Sequence, residues 1–170
     1  MCCAVQELMR KTVNVVVHSA ASVSFSEALG EALAKNVAGK PNATSSWVVA
    51  RVLVPAHCDI ERDACSLVGG GTAGALDIFE LGKSFEKLEV YVHVSTAYVS
   101  CNRLGTILEQ APQLNFPPGI SNAEELYRML LSHDDATLDR MTPSLIGNFP
   151  NTYCYSKAIS ETLINQVSFV

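Results

Sequence analysis

Two short apolar runs, each closing on small or hydroxyl-bearing residues, constrain this chain more than any other feature. Val13-Asn14-Val15-Val16-Val17-His18 runs into Ser19-Ala20-Ala21, and Leu88-Glu89-Val90-Tyr91-Val92-His93-Val94 runs into Ser95-Thr96-Ala97-Tyr98. β-Branched runs of this length read as strands, and the first reads as a strand buried on both faces. Helical periodicity lies between them. Glu27 to Val37 carries Ala28, Leu29, Ala32 and Leu33 on one face with Ser26 as its cap, and Ala75 to Phe85 turns Leu76, Phe79 and either Leu81 or Gly82 toward a sheet. Strand, helix, strand at this spacing is a parallel βαβ unit. In open sheets of that kind, ligands bind at the carboxyl ends of the strands, where Ser19 to Ala21 and Ser95 to Thr96 fall.

The rest of the chain supports an α/β class. A loop rich in Pro and Asn spans Asn102 to Ser121, and helices are expected at Ala123–Leu131, around Ala136–Met141, and from Thr152 to Gln166. A length of 170 residues suits one domain with a real core. Twelve Lys+Arg against 17 Asp+Glu give a net charge of −5, which argues against a nucleic-acid binder held by phosphate contacts. No run is long and apolar enough for a membrane span, and Met1 to Arg10 lacks the pattern of a secretory signal, so an intracellular chain is expected. The six cysteines then read as reduced thiols; His57, Cys58 and Cys65 match no common zinc spacing, and no metal is expected.

Tyr153 and Lys157 stand four apart on the last helix, so both project from one face. A neighbouring ammonium stabilises a phenolate, which is what a tyrosine needs to work as a proton donor near neutral pH. The same spacing also arises in a helix that pairs a solvated Lys with a half-buried Tyr. Ser95 and Thr96 offer hydroxyls to a carbonyl at a strand end, or cap backbone groups there. Asn36, near the end of its helix, can satisfy backbone groups or hold a water.

Longer phrases sharpen this. His18-Ser19-Ala20-Ala21 with Phe25, Asn36-Val37-Ala38-Gly39, Phe85-Glu86-Lys87-Leu88, His93-Val94-Ser95-Thr96-Ala97-Tyr98-Val99 and Pro150-Asn151-Thr152-Tyr153-Cys154-Tyr155-Ser156-Lys157-Ala158 together resemble the fatty acyl-CoA reductases, a branch of the extended short-chain dehydrogenase/reductases. The resemblance implies a Rossmann-like parallel sheet with flanking helices, incomplete here because the first βαβ half, with its Gly-rich phosphate loop, is missing. It implies Tyr153 as general acid, Lys157 on the nicotinamide ribose, and Thr96 with Ser95 orienting the carbonyl. Asn36 would support the site through water, and Ser19, Ala20, Ala21 and Val94 would lie along the cofactor. It further implies NADPH as cofactor and long-chain acyl-CoA as substrate, reduced through an aldehyde to an alcohol. Membrane association would come through parts absent here, at peroxisome, endoplasmic reticulum or plastid. A chain without the first half is expected to expose a sheet edge, to bind NADPH poorly and to be inactive or barely active.

Lys40 to Gly71 does not fit the plan. Trp47 to Val54 could form a strand, and Gly69-Gly70-Gly71-Thr72-Ala73-Gly74 has the spacing G-x-G-x-x-G, yet no acidic residue ends the following strand. Removing Lys40–Gly71 joins Asn36-Val37-Ala38-Gly39 to Thr72 and restores the N-V-x-G-T phrase of the family. The expectation is therefore a domain made of residues 1–39 and 72–170, with 40–71 an atypical insertion that loops out or orders poorly. Two other functions are compatible with the residues: a different extended short-chain reductase or epimerase, and a non-catalytic fragment that binds a partner through its exposed sheet. Sequencing the full transcript is expected to show a message in which Gly39 runs directly into Thr72; a message that retains the whole intervening segment would overturn the insertion reading.

Overall fold

A computed structural model of the chain describes residues 3–19, 21–38, 50–53 and 74–166. Helix α1 spans Cys3–Thr12 and strand β1 Val15–His18; helix α2 spans Leu29–Asn36 and strand β2 Ala50–Leu53. Helix α3 covers Ala75–Lys83 and strand β3 Val90–His93, and a 3-10 turn at Ala97–Ser100 follows. Helices α4 (Ala123–Leu131), α5 (Asp135–Ile146) and α6 (Thr152–Gln166) complete the described chain.

β1 and β3 pair in parallel, with Val15 opposite Val90 and His18 opposite His93. The connection runs through α2 and α3, so the α/β class and the parallel unit stand as expected. The strands are shorter than the apolar runs, because Val13 and Asn14 precede the ladder and Val94 follows it. Val94 N–H still donates to the His18 carbonyl (2.8 Å), which extends the join by one bond. A third strand, β2, lies antiparallel on the outer edge of β1, with His18 opposite Ala50 and Val15 opposite Leu53. Of the span 40–71, set aside above as a loop, residues 50–53 are thus an edge strand; the Gly69–Gly71 run and the rest lie outside the described residues.

Burial on both faces of β1 is not what the structure shows. Val16 and His18 are buried, while Val15 and Val17 are only half-buried. On β3 the same alternation leaves Val90, Val92 and the following Val94 exposed at 41–47%. Helices cover one face of the parallel pair, and among the described residues none covers the other.

Local chemistry sets the helix ends. Asn122 accepts from Glu125 N–H (2.9 Å) and starts α4, and Asp134 accepts from Thr137 N–H (2.8 Å) and starts α5. α5 therefore begins just before the expected residue and runs on through Pro143. α2 begins later than its periodicity suggests; Ala28 occupies the N-cap and no side chain caps it, so Ser26 does not play that part. α1 was not foreseen at all. It is amphipathic, and it joins the smaller of two hydrophobic clusters, where Met9 packs with Val13, Val16, Ile78 and Phe85. The larger cluster centres on α6 and takes Leu29 and Leu33 from α2, Leu126 and Leu130 from α4, and Leu138 and Leu145 from α5.

α3 starts where α2 stops. Leu76 N–H donates to the Val37 carbonyl at 2.8 Å. Gly74 makes the approach feasible, since a Cβ there would lie 2.4 Å from the Val37 carbonyl carbon and oxygen. Gly74→Ala is accordingly expected to destabilise the fold by about 1–3 kcal/mol, whereas Gly82→Ala, whose Cβ would meet side-chain atoms alone (the Tyr91 ring at 3.3 Å and Leu88 Cδ2 at 3.8 Å), should cost less. Urea denaturation of the two variants side by side checks this.

Candidate active site

Every residue from Thr152 to Ser160 is buried, so α6 has no solvent face over its first turns. Tyr153 and Lys157 lie on this helix, exposed to 7% and 2%. A buried ammonium requires acceptors, and Lys157 Nζ donates to the Val94 carbonyl (3.4 Å), just beyond β3. That bond ties the Tyr-Lys helix to the carboxyl end of the strand, beside Ser95 and Thr96. Burial pulls the Lys157 ammonium below its ordinary pKa, and the Glu161 carboxylate one turn on opposes the shift. The edge of the Phe25 ring stands against Tyr153, with centroids 5.3 Å apart.

Asn36 does more than end its helix. It is 1% exposed; its Oδ1 accepts from Ser22 N–H (2.8 Å) and its Nδ2 donates to Ser156 Oγ (2.9 Å). Ser156 Oγ in turn donates to the Tyr153 carbonyl at 3.0 Å. One amide thus joins the segment after β1, the end of α2 and the turn of α6 that carries Tyr153 and Lys157. Thr152 adds a second tie, its hydroxyl donating to the Glu27 carbonyl (2.7 Å).

The two strand-end hydroxyls part company. Thr96 Oγ1 accepts from Tyr98 N–H (3.3 Å) and caps the 3-10 turn, the backbone role named as its alternative. Ser95 Oγ is buried with no partner among the described residues and lines a cavity of about 400 Å³ with His93, Tyr91, Phe79, Glu161 and Asn165. Ser19 is exposed and Ala21 half-buried after β1, Val94 is exposed beyond β3, and Ala20 lies outside the described residues. Among the described residues no cluster of His, Cys, Asp and Glu could hold a metal; His57, Cys58 and Cys65 fall outside them.

The sequence reading passed over a histidine pair. His18 and His93 face each other across the parallel ladder with rings stacked at 5.2 Å and Nδ1 atoms 3.0 Å apart. Both Nε2 atoms are buried, without a partner among the described residues. Burial first, and then the charge of Lys157, pulls His18 down to about 4; the same causes, with His18 added, pull His93 down to about 3. The available signal was positional: each histidine is the last strand residue before Ser19 or Val94-Ser95. Ser156 was missed as well, because a serine inside a helix ordinarily carries no message.

The family model described as male sterility protein, an NAD-binding family, matches residues 4–45 and 54–169, passing over 46–53. Over 161 residues the chain is 30% identical to fatty acyl-CoA reductase 1 of Xenopus laevis, an alignment covering 95% of this chain and 23% of that protein. It is 29% identical over 162 residues to fatty acyl-CoA reductase 1 of Gallus gallus, covering 95% and 24%. It is also 29% identical over 161 residues to the fatty acyl-CoA reductase wat of Drosophila melanogaster, covering 95% and 23%. The chain therefore spans about a quarter of the length of these relatives. No solved structure matches it.

The histidine pair generates a pH dependence. Its folded pKa values lie below the ordinary histidine value, so the unfolded chain binds more protons between about pH 6.5 and pH 4. The stability contributed by the neutral rings is complete above about pH 6.5 and is lost as pH falls toward 4, by about 1.4 kcal/mol per pH unit for each ring. Thermal denaturation at pH 7 and pH 5 should show this loss, and His93→Asn should show less of it.

Proposed function

Because the chain belongs to the fatty acyl-CoA reductase family, within the NAD-binding group described as male sterility protein, we propose that it carries the reductive site of an NADPH-dependent long-chain acyl-CoA reductase. The observation that supports this most is the seating of Tyr153 and Lys157 on one buried helix, with Lys157 Nζ held by the Val94 carbonyl at the strand end. The donor set suits the nicotinamide end of such a cofactor. An ammonium and the Ser95 hydroxyl lie at the carboxyl end of β3, the Tyr153 phenol is one turn from that ammonium on the same helix, and small Ala21 follows β1.

Lys157, Ser19, Ala21 and Val94 would hold the cofactor, with Ala20 completing the strand-end phrase. When bound, the reduced nicotinamide supplies a hydride to the acyl carbon. The chain's own residues handle orientation and protons. Tyr153 gives its phenolic proton to the carbonyl oxygen as charge develops there. Lys157 lends positive charge to the phenolate that remains. Thr96 and Ser95 orient the carbonyl, with Ser95 Oγ still free to donate, and Asn36 keeps Tyr153 and Lys157 in place through Ser156. On thioester substrates this chemistry releases CoA and yields an aldehyde, which a second round takes to the alcohol. A peroxisomal, reticular or plastid membrane is the proposed setting; among the described residues no helix is long and apolar enough to cross one.

A second reading draws on the uncovered valine face. Parallel strands are ordinarily buried on both sides, and Val90, Val92 and Val94 are not. A chain that only binds a partner through this face would be indifferent to Tyr153→Phe.

The deciding assay measures NADPH oxidation and CoA release with a long-chain acyl-CoA. Tyr153→Phe should lower turnover by about 100-fold or more with little change in KM, while Lys157→Met should weaken NADPH binding as well. Reduction of some other carbonyl without CoA release would favour a different extended short-chain reductase. No reduction, together with unimpaired function of Tyr153→Phe, would favour the partner-binding reading.

A further inference from the structure

His18 and His93 have no part in the reaction outlined above, yet their geometry leaves them little freedom. They are opposite one another in the parallel register, on the helix-covered face, with ring planes only 10° apart, centroids 5.2 Å apart and Nδ1 atoms 3.0 Å apart. Two imidazole nitrogens at that distance attract only when one carries a hydrogen and the other a lone pair. Two neutral rings must therefore be opposite tautomers: one is Nδ1–H with a bare Nε2, the other has a bare Nδ1 with Nε2–H. A third proton would go to the bare Nε2, which is buried beside the Lys157 charge, and a fourth would set two Nδ1–H groups head-on.

The pair is coupled to Lys157 through a single residue, whose N–H and C=O belong to the two successive peptides on either side of its Cα. Val94 follows His93 directly; its N–H donates to the His18 carbonyl (2.8 Å) and its C=O accepts from Lys157 Nζ (3.4 Å). The Nδ1 contact clasps β1 to β3 at the step before this residue. Its orientation, and with it the seat of the ammonium, depends on the clasp. The charged or titratable neighbours are Lys157 and Glu161 from α6 and Tyr91 from β3.

We propose that His18 and His93 form a neutral pair sharing one Nδ1 proton, and that this pair is a positioning device for the Lys157 ammonium. The role of Lys157 toward the cofactor rests on the function proposed above; the pair itself does not. Protonation of either ring is opposed by burial and by the Lys157 charge.

The test uses the full chain with ¹⁵N-labelled histidine and ¹³C-labelled lysine. The expected spectrum shows one Nδ1–H and one Nε2–H tautomer for His18 and His93, with neither ring protonated from pH 5 to pH 8. Two rings in the same tautomer, or either ring titrating in that window, would overturn the pair. For positioning, His93→Leu should shift the Lys157 ¹³Cε signal and raise the NADPH dissociation constant about tenfold. His93→Asn keeps a polar group near the Nδ1 position and should stay within about threefold of the unmodified chain. An unmoved Lys157 signal in His93→Leu would overturn the positioning role. Should His93→Leu fail to fold, His93→Gln, whose polar head sits away from the Nδ1 position, takes its place. If the unmodified chain binds no NADPH, the reductase reading fails while the tautomer and Lys157 measurements still decide the pair.

Discussion

Polar groups on the fully buried first turns of α6 press for partners, and the helix passes that demand to the elements around it. Thr152 reaches the Glu27 carbonyl, Ser156 the Tyr153 carbonyl, Thr162 the Ala158 carbonyl and Lys157 the Val94 carbonyl. Each bond either ends within the helix or anchors it to one neighbour. Asn36 supplies the remaining tie by donating to Ser156. An unpaired buried polar group costs more than a paired one returns, so these contacts dictate where α2 and β3 can lie. The Tyr155 hydroxyl and Ser160 Oγ have no such partner, and both lie on the same buried helix. Burial pushes the Tyr155 phenol well above its ordinary pKa and holds it neutral.

The apolar packing follows the same centre. α2, α4 and α5 turn leucines onto α6, while α1, β1 and α3 build the smaller cluster around Val16 and Phe85. The parallel pair lies at the margin of these clusters and turns one face to them, which is why His18 and Val16 are buried and Val90 and Val92 are not. The sheet positions two strand ends against a helix. The relative placement of Lys157 and Ser95 depends on that crossing, and the length of the strands matters little to it.

Much of the secondary structure was legible because its causes are local. Ala123–Leu131 carries its cap in Asn122 and its apolar face in Ala123, Leu126, Tyr127 and Leu130. Thr152–Gln166 was readable for a different reason: Tyr153 and Lys157 share a face only if the segment is helical. α1 was not legible, since its apolar residues find their meaning only when Met9 meets Ile78 and Phe85. Nor was the N-terminus of α2, where Ser26 is a suitable residue type and the backbone simply starts later. β2 pairs with β1 through backbone groups that every residue possesses, so its composition announced a strand but not its neighbour or direction.

By itself the sequence determined the residue types at each strand end, the helical spacing of Tyr153 and Lys157, and the family to which the phrases around them belong. Those properties belong to single segments and survive without knowledge of what packs where. Tertiary structure alone decided which hydroxyl is engaged and which is open, Thr96 capping its turn while Ser95 faces a cavity. It also decided that Asn36 bonds to Ser156 across 120 residues of chain, and that two histidines 75 residues apart share a proton. Such contacts are set by register and by the burial of α6, quantities that arise only when distant segments are brought together.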